Sequence, residues 1–295
     1  MKKKKDSYCL KYKPFTDIRI DVVKRSGYTI SYRNDDTWIM GNWFGSTVIS
    51  YGMVKVVWHL AYIYNVFYAN YIANLGPMIP YLCFKPNDVL INNLDFLRRE
   101  VKSFFSSKYK EKISNKVSPD NQFMVKKEDY GIVNTTAKRA LDFFILHEYS
   151  HFVVKRDGIT FNGTQEEKIK QEEDFCDKNA FEIYKEKYLN EGKKENVLSA
   201  KIGMQIALLI LNAAGIDLKN FGIDHPASYK RVMNVMGNLS EEDDDSWCLL
   251  TAILGFECHF LGIAISHNNI YDDFKSATYE YLSMLESLEQ EWKKE

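Results

Sequence analysis

The chain has 295 residues, with 39 Lys and Arg against 40 Asp and Glu, a formal net charge of -1. Its 45% hydrophobic and 27% charged residues are those of a globular protein able to bury a sizeable core, which excludes a disordered chain, a collagen-like chain and a disulfide scaffold. The balanced charge also argues against a dedicated nucleic-acid binder, which carries a basic excess.

The N-terminus opens on four lysines, followed by Ser7-Tyr8-Cys9-Leu10-Lys11-Tyr12-Lys13. A secretory signal places an apolar run there, so no export signal is expected. The lysines read as a solvated tail, with weak attraction to an anionic membrane as the alternative. Residues 18–51 are strand-rich: Tyr28–Tyr32, Thr37–Met40 and Thr47–Tyr51 are separated by turn residues Asn34-Asp35-Asp36 and Gly41-Asn42. A small antiparallel sheet is expected from them. Helical patterns then dominate, over about 53–74, 89–113, 135–156, 164–190, 195–214, 226–238, 246–266 and 270–293. The fold class expected is α+β, mostly α. A strand-and-helix region over 1–115 and a helical body over 116–295 are expected, and one continuous domain accommodates both.

Three apolar stretches call for a membrane test. Val56–Phe84 contains His59, Asn65, Asn70, Asn74 and many tyrosines, Ile202–Ile216 is short, and Ser246–Ser266 holds Glu257 and His259. Each reads as a buried helix rather than a span. The five cysteines form no CxxC pair, which suits a reducing compartment. A cytoplasmic protein is expected, with peripheral contact with the inner membrane as an alternative.

Residues 143–154 read Phe-Phe-Ile-Leu-His-Glu-Tyr-Ser-His-Phe-Val-Val and contain HExxH: His147, Glu148, His151. On a helix, positions i and i+4 share a face, so the two imidazoles can converge on one zinc ion. Glu148, turned away from that line, stays near enough to serve as general base on a water. Neither Gly nor Pro interrupts 135–156, and Asn134 or Thr135 is a plausible cap. The competing reading is two core histidines and a glutamate in a polar network, which needs every group hydrogen-bonded.

A catalytic zinc needs a third protein ligand. The next helix offers Glu173 and, one turn on, Asp177. Glu173 is the expected ligand, and Asp177 the acceptor that fixes a ligand histidine through its other ring nitrogen. Glu172, Asp174 and Asp177 are the alternatives for the ligand, since Glu166, Glu167, Glu172, Glu173 and Asp174 also read as a solvated acidic face.

HExxH followed by Glu173-Asp174-Phe175-Cys176-Asp177-Lys178-Asn179-Ala180 resembles the layout of gluzincin metallopeptidases. His225-Pro226-Ala227-Ser228-Tyr229-Lys230-Arg231 resembles an element of HtpX-like peptidases. Chain length, the mid-chain HExxH and Asp224-His225-Pro226 are similar to the phage-exclusion peptidase family of Lit. The resemblance covers about residues 135–235. It implies a zincin-like metallopeptidase domain over 116–295 and Zn2+ as cofactor. From the Lit-like family it implies a bacterial enzyme that cleaves a translation elongation factor during phage infection. HtpX-like enzymes are membrane-embedded, and the lack of clear spans here favours the Lit-like branch.

His225 is a candidate donor to the oxyanion of a tetrahedral intermediate. The alternative is structural, with Asp224 as cap and Pro226 in the first helical turn. Arg231 reads as an anchor to an acidic group. His59 and His259 read as core histidines, and Cys248, Cys258 and His259 fit no zinc signature. Tyr149 is expected to face the core, and Glu241–Asp245 to be a solvated helix start. Gln122–Val133 is the candidate extended segment beside which a peptide substrate would lie. The function expected is a zinc endopeptidase acting on a specific protein. The alternatives are a non-catalytic regulatory protein on a zincin fold, which would have no need of Glu148, and a membrane-associated quality-control peptidase.

Overall fold

Alternation of β-branched and polar residues favours strands at the start of the chain. In the computed structural model, which describes residues 26–33, 35–37, 40–43, 46–72, 79–80, 88–107, 127–190, 194–218, 228–236, 244–263, 270–271 and 273–292 together with Val23 and Ile113, these are β1 (Thr29–Arg33), β2 (Met40–Trp43) and β3 (Ser46–Ser50). Their order is β1-β3-β2. β2 pairs antiparallel with β3, Met40 opposite Ile49. β1 pairs parallel with β3, Thr29 opposite Ser46. The sheet is thus mixed, not antiparallel as expected. Gly41 and Asn42, expected as turn residues, lie inside β2 opposite Val48 and Thr47, and turn composition leaves open which strand pairs with which. Here β3, with Thr47, Ile49 and Ser50 buried, takes the centre.

Ser50 ends β3 and caps α1 (Tyr51–Phe67), its hydroxyl accepting from the Met53 N–H at 3.4 Å and donating to Thr37 O at 2.5 Å. A π-helical turn, Tyr68–Ile72, extends α1. α2 (Val89–Ser106) is capped by Asp88, whose carboxylate accepts from the Leu90 and Ile91 N–H groups. α3 (Lys127–Arg156) is 30 residues long and starts two turns before the expected 135. Asn134 and Thr135 are therefore interior residues rather than caps. Asn134 Oδ1 accepts from Trp58 Nε1 at 2.8 Å, and Thr135 Oγ1 donates to Gly131 O at 2.9 Å. The one glycine before them costs an interior helix only about 1 kcal/mol, which the buried Val133, Thr136 and Ala137 offset through packing. Of the segment expected to be extended, 127–133 is helix and 122–126 lies outside the described residues.

α3 ends at Gly158 (φ +65), where the Ile159 N–H reaches back to Val154 O at 3.0 Å, the Schellman closure that glycine permits. Gly163 (φ +111) precedes a capping box. The Thr164 N–H donates to Glu167 Oε2 at 2.7 Å and the Glu167 N–H to Thr164 Oγ1 at 3.3 Å. This reversal launches α4 (Gln165–Tyr184), which continues as a π-helical turn, Lys185–Asn190. Then follow α5 (Lys194–Leu218), α6 (Ser228–Met236), α7 (Asp244–Phe260) and α8 (Phe274–Trp292). Asp244 and Asp245 are exposed at the start of α7, as expected of a solvated helix end, and Glu241–Asp243 lie outside the described residues. A short pair, β4 (Ile79–Pro80) with β5 (Ile270–Tyr271), was not anticipated. It takes residues 270–271 out of the last helix, which starts instead beside Asp273, the acceptor for the Ser276 N–H at 2.6 Å.

α3 is the axis of the fold. α1, α4 and α5 pack along it, and β2 and β3 touch it. A Cβ on Gly203 of α5 would lie 2.6 Å from Arg139 Cβ and 2.8 Å from Ala140 N, so glycine sets the close approach of α5 to α3. α1 is apolar on nearly every side because α2, α3, α5 and α7 surround it. Among the described residues, no helix is long and apolar enough to cross a membrane. Trp58, Phe67, Phe104, Phe105, Phe143, Phe181 and Phe256 fill the core. A buried ion pair runs through it. Arg98 of α2 donates from Nε and Nη2 to Glu257 of α7 at 2.9 and 3.0 Å, and Tyr64 of α1 donates to the same carboxylate at 2.7 Å. His59 is wholly buried beside Lys55 O, and burial holds it down at about 4, hence neutral. His259 is half-buried, 3.4 Å from Asp95.

Candidate metal centre

The helical period brings His147 and His151 to one face of α3, their ring centroids 4.9 Å apart and nearly perpendicular. The reversal at Gly158 and Gly163 sets α4 against that face. Glu173 then stands between the two rings, with His147 Nε2 3.3 Å from Oε2 and His151 Nε2 3.4 Å from Oε1. The other nitrogen of each ring has its own acid. His147 Nδ1 donates to Asp177 Oδ1 at 2.9 Å, and His151 Nδ1 to Glu172 Oε1 at 2.8 Å. Ligand atoms of His147, His151 and Glu173 lie within 4.8 Å of one another, and among the described residues no other such cluster occurs.

Burial sharpens the charges. It opposes a positive charge on His147, but the hydrogen bonds to Asp177 and Glu173 outweigh it and raise the ring to about 9. His151 behaves likewise, burial losing to Glu173 and Glu172, again at about 9. Burial works against ionised Asp177 too, yet Arg231 and His147 hold its carboxyl down at about 2. Each ring thus favours a positive charge more than a free imidazole does, with its Nε2 turned to Glu173.

This donor set fits a transition metal ion. Two imidazole nitrogens and a carboxylate oxygen converge, and a carboxylate on each outer ring nitrogen fixes the tautomer that turns Nε2 inward. Glu148, next in the chain and half-buried, is close enough that its charge adds to burial in pushing up the Tyr28 hydroxyl. The neighbours in the motif are structural. Tyr149 is buried edge-on against Tyr28, 5.5 Å between centroids. Ser150 donates to Leu146 O at 2.7 Å and accepts from Asn179 of α4 at 2.9 Å, tying the two helices together beside the cluster.

Arg231 of α6 points into the cluster and forks onto Asp177. Glu172, an alternative ligand by sequence, instead holds His151 through Nδ1. Residues 172 and 173 are about 100° apart on a helix, so sequence periodicity cannot tell which one faces a partner. Tyr28 and Asn179 carried no signal short of the tertiary packing. Asp174 accepts from Asn234 at 3.0 Å, away from the histidines. His225 lies outside the described residues.

A mostly helical α+β protein that sets an acid beside a cluster able to hold a metal ion is a candidate hydrolase. The family model described as Peptidase U49 matches residues 48–253, from β3 into α7, and takes in His147, Glu148, His151, Glu173, Asp177 and Arg231. The chain belongs to the peptidase U49 family. Neither a curated protein nor a solved structure matches it.

Proposed function

We propose that this peptidase is a zinc-dependent endopeptidase in which His147, His151 and Glu173 hold the metal and Glu148 is the general base. The observation that carries the proposal is the double arrangement of the histidines: both Nε2 atoms face Glu173 while each Nδ1 is tied to a separate carboxylate. A polar network with no further task has no need of two inward nitrogens on one acid. Bound there, zinc supplies Lewis acidity, polarising a carbonyl and bringing the pKa of a water to about 7. Glu148 takes the proton of the attacking water and delivers it to the leaving amine. Asp177 and Glu172 keep the rings oriented through the reaction. His225 is proposed, on sequence alone, as a donor to the developing oxyanion.

The Lit-like resemblance supports a specific protein substrate, with a translation elongation factor as first candidate, and a role in phage exclusion. The odd cysteine count supports action in the cytoplasm. Glu148→Gln tests the chemistry. The variant is expected to bind one zinc per chain and to lose about 10²- to 10⁴-fold in hydrolysis, the usual worth of a general base. Full activity in the variant would end this mechanism. Comparing the proteomes of cells that express the wild type and Glu148→Gln then identifies the cut protein, and an intact elongation factor beside another cleaved protein removes that candidate.

A further inference from the structure

We infer that Arg231 is a positioning residue of the metal centre, acting on His147 through Asp177; this rests on the zinc-peptidase reading above. Arg231 sits on α6, outside the two helices that supply the cluster, yet it is only 3% exposed. Its Nε donates to Asp177 Oδ2 and its Nη2 to Asp177 Oδ1, both at 2.7 Å. Asp177 Oδ1 also accepts from His147 Nδ1. The guanidinium and the imidazole therefore meet on one oxygen, Nη2 standing 3.4 Å from His147 Nδ1. The same Nη2 is 3.9 Å from Glu173 Oε2. One cation bears on the acid that orients His147 and on the acid that faces both rings.

Two physical consequences follow. The terminal torsion of an Asp side chain is broad, so a carboxylate held only by its bond to His147 could turn and take the ring with it. The fork occupies both oxygens and fixes the carboxylate plane, and with it the ring. Asp177 is also 1% exposed, and a buried carboxylate needs a counter-charge. A guanidinium supplies one that cannot be lost by deprotonation. Lysine would match the charge but not the planar two-point hold. α6 itself has a second grip on α4, the Asn234 Nδ2 bond to Asp174 Oδ1. Anchoring of the helix and orientation of Asp177 can therefore be separated by substitution.

The test uses the full-length protein with zinc and cobalt(II) as probes. Zinc affinity is measured by competition with a chromophoric chelator, the cobalt form by its visible spectrum, and the metal-free fold by thermal melting. Arg231→Gln is expected to weaken zinc by about 10- to 100-fold, the range for loss of groups that orient metal ligands, and to shift the cobalt bands. Arg231→Lys should fall between it and the wild type. Asn234→Ala should stay within about twofold in affinity. Arg231→Gln combined with Asp177→Asn should weaken zinc no more than Asp177→Asn alone, since residues acting as one unit are not additive. Wild-type affinity and an unaltered cobalt spectrum in Arg231→Gln, with only the melting temperature lowered, would make Arg231 a purely structural anchor and overturn the inference. Should Arg231→Gln not fold, a wild-type affinity and spectrum in Arg231→Lys does the same. A wild type that binds no zinc removes the reading beneath the inference and the inference with it. A wild type that binds zinc beside an unaffected Arg231→Gln removes the inference alone.

Discussion

The carboxylates around His147 and His151 favour their charged forms, so metal uptake, which must displace those protons, should be steeply pH-dependent. Both rings are held at about 9, their carboxylates outweighing burial, and both Nε2 atoms face Glu173. Ligation needs both lone pairs free, so uptake releases two protons at any pH well below that value. Each proton contributes about 1.4 kcal/mol per pH unit. The apparent affinity is then expected to rise about 100-fold per pH unit and to level off only near pH 9. A pair of ordinary histidines, with pKa about 6.5, would level off near that value, so the two cases part between about pH 7 and 8. The assay is chelator competition at half-unit steps, corrected for the chelator's own protonation, with proton release followed in weak buffer. A slope below about half a decade per pH unit in that window would refute the proton-for-metal arrangement. A raised pKa contributes stability that is full below about 6.5 and lost as pH rises through about 9. The metal-free protein should therefore lose on the order of a few kcal/mol across that window, while the zinc-loaded protein should not.

Two further predictions concern the scaffold. Gly203→Ala gains about 1 kcal/mol of helix propensity but sets a methyl 2.8 Å from Ala140 N and 2.9 Å from Thr136 O. These are backbone atoms that cannot swing aside, and overpacking of this kind costs about 1–3 kcal/mol. A net loss by chemical denaturation is expected, and a gain would show that α5 can retreat from α3 freely. Glu257→Leu strips the buried Arg98 guanidinium of its carboxylate and should cost about 3–5 kcal/mol. A loss below about 1 kcal/mol would mean that the pair does not hold α2 to α7.

The helical body was legible because its signals are local. Apolar periodicity acts within a turn or two of chain, whereas the Thr164/Glu167 capping box that starts α4 went unread, Glu167 having the look of a solvated acid. The first turns of α3 were not legible, because Gly131, Asn134 and Thr135 look like a boundary, and only packing against α1 and α5 carries the helix through them. The sheet failed in the same manner. Strand composition located β1 and β3, but parallel pairing across an intervening strand is a tertiary choice, and β4 meets β5 across most of the chain.

The candidate site divides along the same line. HExxH and the Glu173–Asp177 spacing are single-helix properties, readable from a period of 3.6. Which acid faces which nitrogen depends on how α3 and α4 cross, and that places Glu172 on His151 and frees Asp177 for His147. The two arms consequently differ in stiffness. The acid behind His147 has a side chain only 1% exposed and is gripped by a guanidinium; the acid behind His151 has a side chain 32% exposed. An orienting hydrogen bond holds a ligand only as firmly as its own acceptor is held. His147 is thus the more firmly held of the two rings, and His151, half-buried beside a partly exposed acid, the less firmly held.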